Sequence, residues 1–408
     1  MAVRIERLGR EGDGLAGSVR VPFALPGELW ELGEPPRLIE AAPERVVPPC
    51  PHFGACGGCA LQHAEAGWLS RWKADVVVRA LAAQGIEVEV RPTISSPVAS
   101  RRRAVFAGRR TKKTVVVGFH GRRSDQFVAV PDCLVVRREI LAGLPALQAL
   151  TRVAASRSSE VRLGVTTGPV GLDVAIEGGR PLDTAPGSRG AGLGKAGLGG
   201  EIAAVAESYD LARVCWDGEP VAMRRAPWLP MGKARVVPPP GAFLQATAEG
   251  EAALVSAVGQ IVGDAARVLD LFAGCGTFAL PLAEGAQVVA VEGEAAMLAA
   301  LAQAARGAPG LRPVRTATRD LFRRPLLPVE LAAADAVVID PPRAGAEAQA
   351  RELAASRVAR IAAVSCNPAS FARDARILIA GGYRLEWVQP VDQFLWTGHV
   401  ELVAAFTR

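Results

Sequence analysis

From about residue 250 onward, short apolar runs alternate with Ala- and Leu-rich stretches of helical composition. The runs Arg267–Phe272, Gln287–Val291, Ala336–Ile339 and Ile361–Val364 lack the polar alternation of a half-exposed strand, so they read as strands covered on both faces. Strands of that kind, separated by helices, pair in parallel. The pattern predicts an α/β fold, a doubly wound, Rossmann-like sheet, for a domain at residues 236–408. The 408 residues exceed one ordinary core. Residues 1–47 read as short strands punctuated by Gly9, Gly12, Gly14, Gly17, Pro22, Pro26 and Gly27, the pattern of a small β-barrel. Residues 48–235 are expected to form a central α+β domain, entered through Pro48-Pro49, with strand-like runs at Val115–Gly118 and Ser159–Ile176. The glycine-rich stretch at 186–200 is expected to be a flexible loop. No stretch is apolar and long enough to span a bilayer, and the first residues lack the apolar run of a secretory leader; a cytoplasmic, monomeric protein without a membrane partner is expected.

The formal net charge of +6 is modest, but it is unevenly placed. Arg101, Arg102, Arg103, Arg109, Arg110, Lys112, Lys113, Arg122 and Arg123 fall in one segment without an acid before Asp125. Such a block suits a polyanion, and suits a plain solvated surface equally well. Seven cysteines, an odd number in a chain without a leader, argue against a disulfide framework. Cys50, Cys56 and Cys59 are close in sequence and Cys133 follows at a distance. Four thiolates can hold tetrahedral zinc or a cubane iron–sulfur cluster, and zinc sites usually pair two Cys-x-x-Cys knuckles where this chain has one.

In Val268-Leu269-Asp270-Leu271-Phe272-Ala273-Gly274-Cys275-Gly276-Thr277 an apolar strand runs into a glycine turn and then a helix. Glu292, 22 residues after Asp270, stands at the end of the next strand, where a ribose diol would be held. The third glycine of a dinucleotide fingerprint is missing, and so is a Walker-type Gly-Lys-Ser/Thr. An adenosine that carries an amino acid in place of phosphates fits this set, and S-adenosylmethionine is such a molecule.

Asp340-Pro341-Pro342-Arg343 and Ser365-Cys366-Asn367-Pro368 each follow a strand, and strand carboxyl ends are where open α/β sheets bind ligands. Pro368 is expected to stop a helix at once and keep the Cys366 thiol out of a core, against the usual fate of an isolated cysteine. C5 of uracil is too weak a nucleophile to take a methyl directly; thiolate addition at C6 makes C5 enolate-like. A base must then remove the C5 proton. Glu401 in Thr397-Gly398-His399-Val400-Glu401 is the candidate, with an ordinary edge-strand carboxylate as the equal alternative; His399 reads as structural. Where Asp-Pro-Pro serves amine methylation an aromatic residue follows; here Arg343 does.

These motifs together resemble the bacterial RNA (uracil-5-)-methyltransferase family, in its iron–sulfur branch acting on 23S ribosomal RNA, over nearly the whole chain. The resemblance implies a class I methyltransferase fold at the carboxyl end. It also implies a shortened TRAM module, an OB-like RNA-binding barrel, at Ile5–Gly14 with Pro26-Gly27-Glu28. It assigns Cys366 as nucleophile and Glu401 as base, and Gln245, Phe272, Glu292 and Asp340 as cofactor contacts, with Asp320 near the adenine. Its [4Fe-4S] pattern matches Cys50, Cys56, Cys59 and Cys133, followed by Leu61-Gln62-His63. Thr247 and Leu395 depart from the family's usual Asn and Pro. Transfer RNA as substrate, a non-catalytic RNA-binding protein of this fold and a redox protein using the cluster are the alternatives.

Overall fold

The computed structural model describes residues 1–9, 11–157, 159–182 and 197–408. The chain divides into two compact units, one of residues 1–53, 59–97 and 249–408, the other of residues 54–58 and 98–248.

The first unit is built on a nine-stranded sheet. In chain order its strands are β1 (Glu89–Val90), β2 (Ile94–Ser95), β3 (Arg267–Leu271), β4 (Gln287–Glu292), β5 (Val314–Thr318), β6 (Ala336–Ile339), β7 (Arg360–Ser365), β8 (Arg384–Asp392) and β9 (Glu401–Thr407). They lie in the order β5-β4-β3-β6-β7-β9-β8-β1, with β2 also on β8. The first five of that order pair in parallel, as the apolar runs predict. The sheet is nevertheless mixed, because β9 runs antiparallel to both β7 and β8. Residues 393–400 are too few for a parallel crossover, so the chain can only turn back on itself.

Helices cover the sheet through apolar stripes. In α1 (Ala66–Ala82) the buried positions are Leu69, Trp72, Lys73, Val77 and Leu81, one face at helical spacing. Glu65 caps α1, its carboxylate accepting from the Gly67 and Trp68 N–H groups at 2.7 and 2.6 Å. Val77 and Leu81 join Leu271, Val337, Ile361, Leu402 and Phe406 in one core. Ahead of α1, residues 1–40 form two three-stranded antiparallel sheets around Ile5, Val21, Ala24 and Trp30. There Glu28 is fully buried; burial alone would raise its pKa, but Arg45, the Leu25 N–H and the Trp30 indole hold it below the usual carboxylate range.

The second unit holds a seven-stranded sheet backed by the helices Leu144–Ala154 and Leu198–Ser208, around Phe106, Leu147, Leu163, Val174 and Ile202. The strand-like run expected over 159–176 is a hairpin, Glu160–Gly168 with Gly171–Glu177. Of the glycine-rich stretch, residues 186–196 lie outside the described residues, and Leu198 to Gly200 open a helix where a loop was expected. Among the described residues no helix is long and apolar enough to cross a membrane.

Candidate active site

Strands β3, β4, β6 and β7 deliver their carboxyl ends to one edge of the sheet, and the candidate residues of the first unit collect there. After β3 the backbone enters the left-handed region three times, at Phe272 (φ 61°), Gly274 (54°) and Gly276 (100°). A Cβ on Gly276 would lie 2.9 Å from Leu280 and from Leu301 of α2 (Ala295–Gly307), so only glycine lets the turn pack onto that helix. Glu292 ends β4 and ties the two loops together. One carboxylate oxygen accepts from the Gly274 N–H at 3.1 Å, the other from Gly293 and Glu294 at 2.6 and 3.0 Å. Asp340 follows β6; part of the residue reaches solvent, but burial of its carboxyl pushes the pKa up to about 7. Asp270 is fully buried with neither oxygen in a well-formed hydrogen bond. Burial first, then the neighbouring Asp340, raise its pKa well above the usual carboxylate range, and the Ala279 N–H opposes them.

The Phe272 ring lies 5.4 Å from that of Phe322, tilted by 56°. Asp320 fixes Phe322 by accepting from the N–H groups of Phe322 and Arg323 at 3.0 and 3.2 Å. Phe322 is half exposed. Sequence reasoning passed over Phe322; its only signal was an aromatic residue two places after Asp320.

At the other end of the edge, Cys366 follows β7 and Asn367 caps α3 (Pro368–Ala380). Pro368 starts this helix instead of stopping one: at the first helical position its missing N–H costs nothing. The Asn367 amide and the Ser370 hydroxyl both donate to the Arg343 carbonyl, at 2.9 and 3.1 Å, which binds the Asp-Pro-Pro-Arg loop to the cysteine loop. The half-buried Cys366 lines a cavity of about 210 Å³ with Leu8, Trp72, Arg79, Asn367 and His399. Burial, then the carboxylates of Glu401 and Asp340, raise the Cys366 pKa, and Arg343 opposes them weakly.

Glu401 opens β9, which lies between β7 and β8, so it is no edge-strand carboxylate; it is 4% exposed. Gln393 donates to it at 2.6 Å. Burial first, then Asp340, push its pKa up to about 8. The loop carrying Gln393 is pinned by Lys73 of α1, which reaches Asp392 at 2.6 Å and the Phe394 carbonyl at 3.1 Å with no solvent exposure. Burial lowers the Lys73 pKa, and Asp392 opposes that shift. Lys73 was invisible as a site residue, because a lysine on a helix reads as solvent-facing; Asp392 and Gln393 stand in the family's terminal motif that ends at Glu401, but sequence reasoning gave them no role.

The remaining candidates are divided between the units. Gln245, in the second unit, is buried, and its backbone carbonyl accepts from the Arg102 guanidinium at 3.0 Å. The basic segment is largely occupied within that unit. Arg102 is buried, Arg110 donates to the Arg152 carbonyl at 2.7 Å, and Arg109 pairs with Glu160 at 3.1 Å and covers the Phe127 ring. Lys112 and Lys113 are exposed at the hairpin tip. Cys50 and Cys59 belong to the first unit, Cys56 and Cys133 to the second, where both pack on its core; all four are half-buried. The Gly58 N–H lies 3.4 Å from the Cys56 sulfur, the kind of donor that steadies a ligating thiolate. Among the described residues no three His, Cys, Asp or Glu side chains are gathered as metal ligands would be.

The model of the tRNA (uracil-5-)-methyltransferase family matches residues 238–408. An uncharacterised RNA methyltransferase of Brucella suis is 45% identical over all of this chain and 97% of its own length. The 23S rRNA (uracil(1939)-C(5))-methyltransferase of Chromohalobacter salexigens is 34% identical over 99% of this chain and 88% of its own length. The chain belongs to the RNA (uracil-5-)-methyltransferase family. The crystal structure of the Pyrococcus abyssi tRNA (uracil-54, C5)-methyltransferase, 23% identical, superposes over 100% of this chain and 99% of its own with a TM-score of 0.73, which shows the fold. This RNA (uracil-5-)-methyltransferase is an S-adenosylmethionine-dependent, class I enzyme.

Proposed function

We propose that this enzyme makes 5-methyluridine in 23S ribosomal RNA through a covalent adduct between Cys366 and C6 of the target uridine. The carrying observation is Cys366 at a strand's carboxyl end, opening into a base-sized cavity with the Glu401 and Asp340 carboxylates close enough to perturb it. The 23S substrate rests on the Chromohalobacter relative; the family description and the Pyrococcus enzyme favour transfer RNA as the second reading. Mapping 5-methyluridine in ribosomal and transfer RNA from a deletion strain separates them. Loss at one 23S position is expected, and an unchanged map in both RNAs would refute the function.

In this reading the target base enters unpaired, since C6 in a stacked helix is out of a thiolate's reach. The Cys366 thiolate bonds to C6, and the electron pair of the C5–C6 double bond moves toward C5 and O4. C5 then takes the methyl of S-adenosylmethionine; the S–CH3 bond breaks with its electron pair going to sulfur, and S-adenosylhomocysteine is released. Glu401 removes the C5 proton, the C5–C6 double bond re-forms and the thiolate leaves. Phe272 borders the adenine, Glu292 holds the ribose and Asp340 faces the reacting end; the resemblance adds Gln245 to the cofactor contacts. Residues 1–47 serve as a TRAM-like RNA grip, residues 48–235 as the central part and residues 236–408 as the transferase. By the resemblance Cys50, Cys56, Cys59 and Cys133 would supply the four thiolates of a [4Fe-4S] cluster, whose work would be to fold the region and shape the RNA surface. Four iron and four acid-labile sulfide per chain in protein purified without oxygen are expected; a fully active preparation lacking both would sink that assignment.

The raised acids set a pH dependence. Asp340 and Glu401 ionise near pH 7 and 8, and a cation beside them binds more tightly once they do. S-adenosylmethionine carries a sulfonium; S-adenosylhomocysteine carries a neutral sulfide and the same amino-acid and adenosine ends. The Kd for the first is therefore expected to fall as pH rises from 6.5 to 8.5, by about tenfold for one pKa unit of coupling, while that of the second changes little. Parallel calorimetric profiles for the two ligands would contradict the assignment of these acids to the methyl-bearing end.

A further inference from the structure

Trp72 of α1 forms part of two cavities. One holds Cys366; the other, about 410 Å³, is lined by Trp68, Arg71, Trp72, Asp75, Arg91 and Thr93. The second is within the size of small-ligand sites and its walls are pinned. Thr93 donates to the Ser70 carbonyl at 2.8 Å, tying the segment between β1 and β2 to the helix. The Arg91 N–H donates to the Val388 carbonyl at 2.8 Å, and its guanidinium lies 3.7 Å over the Trp387 ring. The Trp68 and Trp72 indoles are nearly parallel, 13° apart with centroids 6.4 Å from one another. Arg71 and Asp75 are exposed at the mouth.

We propose that this second cavity takes an unstacked nucleotide of the substrate RNA, close in the strand to the target uridine; the inference rests on the proposed action on RNA. A uridine drawn out of its stack leaves its neighbours without stacking partners, and the half-buried Trp68 indole supplies a replacement face, Trp72 itself being buried. Arg71 is placed to meet the phosphate, as guanidinium groups do. Asp75 can accept only, so it favours a base with an exocyclic amine over a uracil. The shared Trp72 sets the two cavities side by side along one helix, so one strand can enter both.

The test uses 23S rRNA and tRNA transcripts made in vitro, which carry no modification. Trp68→Ala and Arg71→Glu should each raise the KM for RNA about ten- to a hundredfold, the scale of one stacked base, with kcat and the Kd for S-adenosylmethionine unchanged. Trp68→Phe should restore the KM. An abasic nucleotide beside the target should weaken the wild type and leave Trp68→Ala unaffected. Trp68 also packs on Leu25, Ala42 and Ala64, so the exposed Arg71→Glu decides if Trp68→Ala fails to fold. Unchanged KM values in folded Arg71→Glu overturn the proposal, including in favour of a protein partner at this cavity. A wild type that methylates neither transcript instead overturns the reading beneath it.

Discussion

Glu401→Gln is expected to convert the enzyme from a catalyst into a trap: incubated with S-adenosylmethionine and RNA, it should form a protein–RNA band that survives denaturing electrophoresis. Addition of Cys366 to C6 and methylation of C5 do not need the Glu401 carboxylate. Expulsion of the thiolate does, because the C5 proton must leave in the same β-elimination. Gln keeps the size of the side chain in a position 4% exposed, and its amide can still meet Gln393. Turnover should drop by about 10²–10⁴-fold, the usual share of a positioned base. Cys366→Ala should lose turnover too and give no band, alone or combined with Glu401→Gln. A band in the double variant would place the nucleophile elsewhere, and full turnover in Glu401→Gln would remove the glutamate from the base role.

Lys73→Met should have the largest effect on the fold. The ammonium and the Asp392 carboxylate are 2.6 Å apart with side-chain exposures of 0% and 2%, so removing one leaves the other charged and unpaired away from water. Breaking such a pair typically costs about 3–5 kcal/mol. Lys73→Met with Asp392→Leu should recover much of that loss, because two apolar groups replace the pair together. Asp392 also accepts from the Phe394 N–H at 2.8 Å, so the double variant should stay less ordered over 393–400 and keep a depressed kcat. Denaturant unfolding and single-turnover methylation separate the two. A Lys73→Met protein as stable as the wild type would show that the pair adds nothing net.

The parallel half of the main sheet was legible because its strands are uniformly apolar, and Arg267–Leu271 and Ala336–Ile339 fall where the runs lie. The reversal at β9 was not, since it depends on the eight residues of 393–400 and not on the composition of the strand. The same cause hid the environment of Glu401: a carboxylate at a strand end reads as an edge until the strand order is known. Cys366 and Asp340 were singled out by their places after strands and Glu292 by its place at a strand's end, whereas Phe272 came only with the family resemblance. Phe322, Lys73, Asp392 and Gln393 act through tertiary neighbours, and local pattern carries no trace of those. The basic segment was readable as charge, but not as the internal ties that Arg102, Arg109 and Arg110 make.

The first unit is closed by partners far apart in the chain: β1 on β8, and Lys73 on a carbonyl 321 residues away. Long-range pairings form slowly, since a large loop must be ordered before they repay it. During synthesis α1 therefore emerges with a lone ammonium whose partners, Asp392 and the Phe394 carbonyl, come only with the last strands, and part of its apolar stripe waits for Leu402 and Phe406. The loop that presents Glu401 is among the final pieces to dock. Completion of the fold and assembly of the reactive centre are thus one event, and a nascent chain short of its last two strands holds no partly active enzyme.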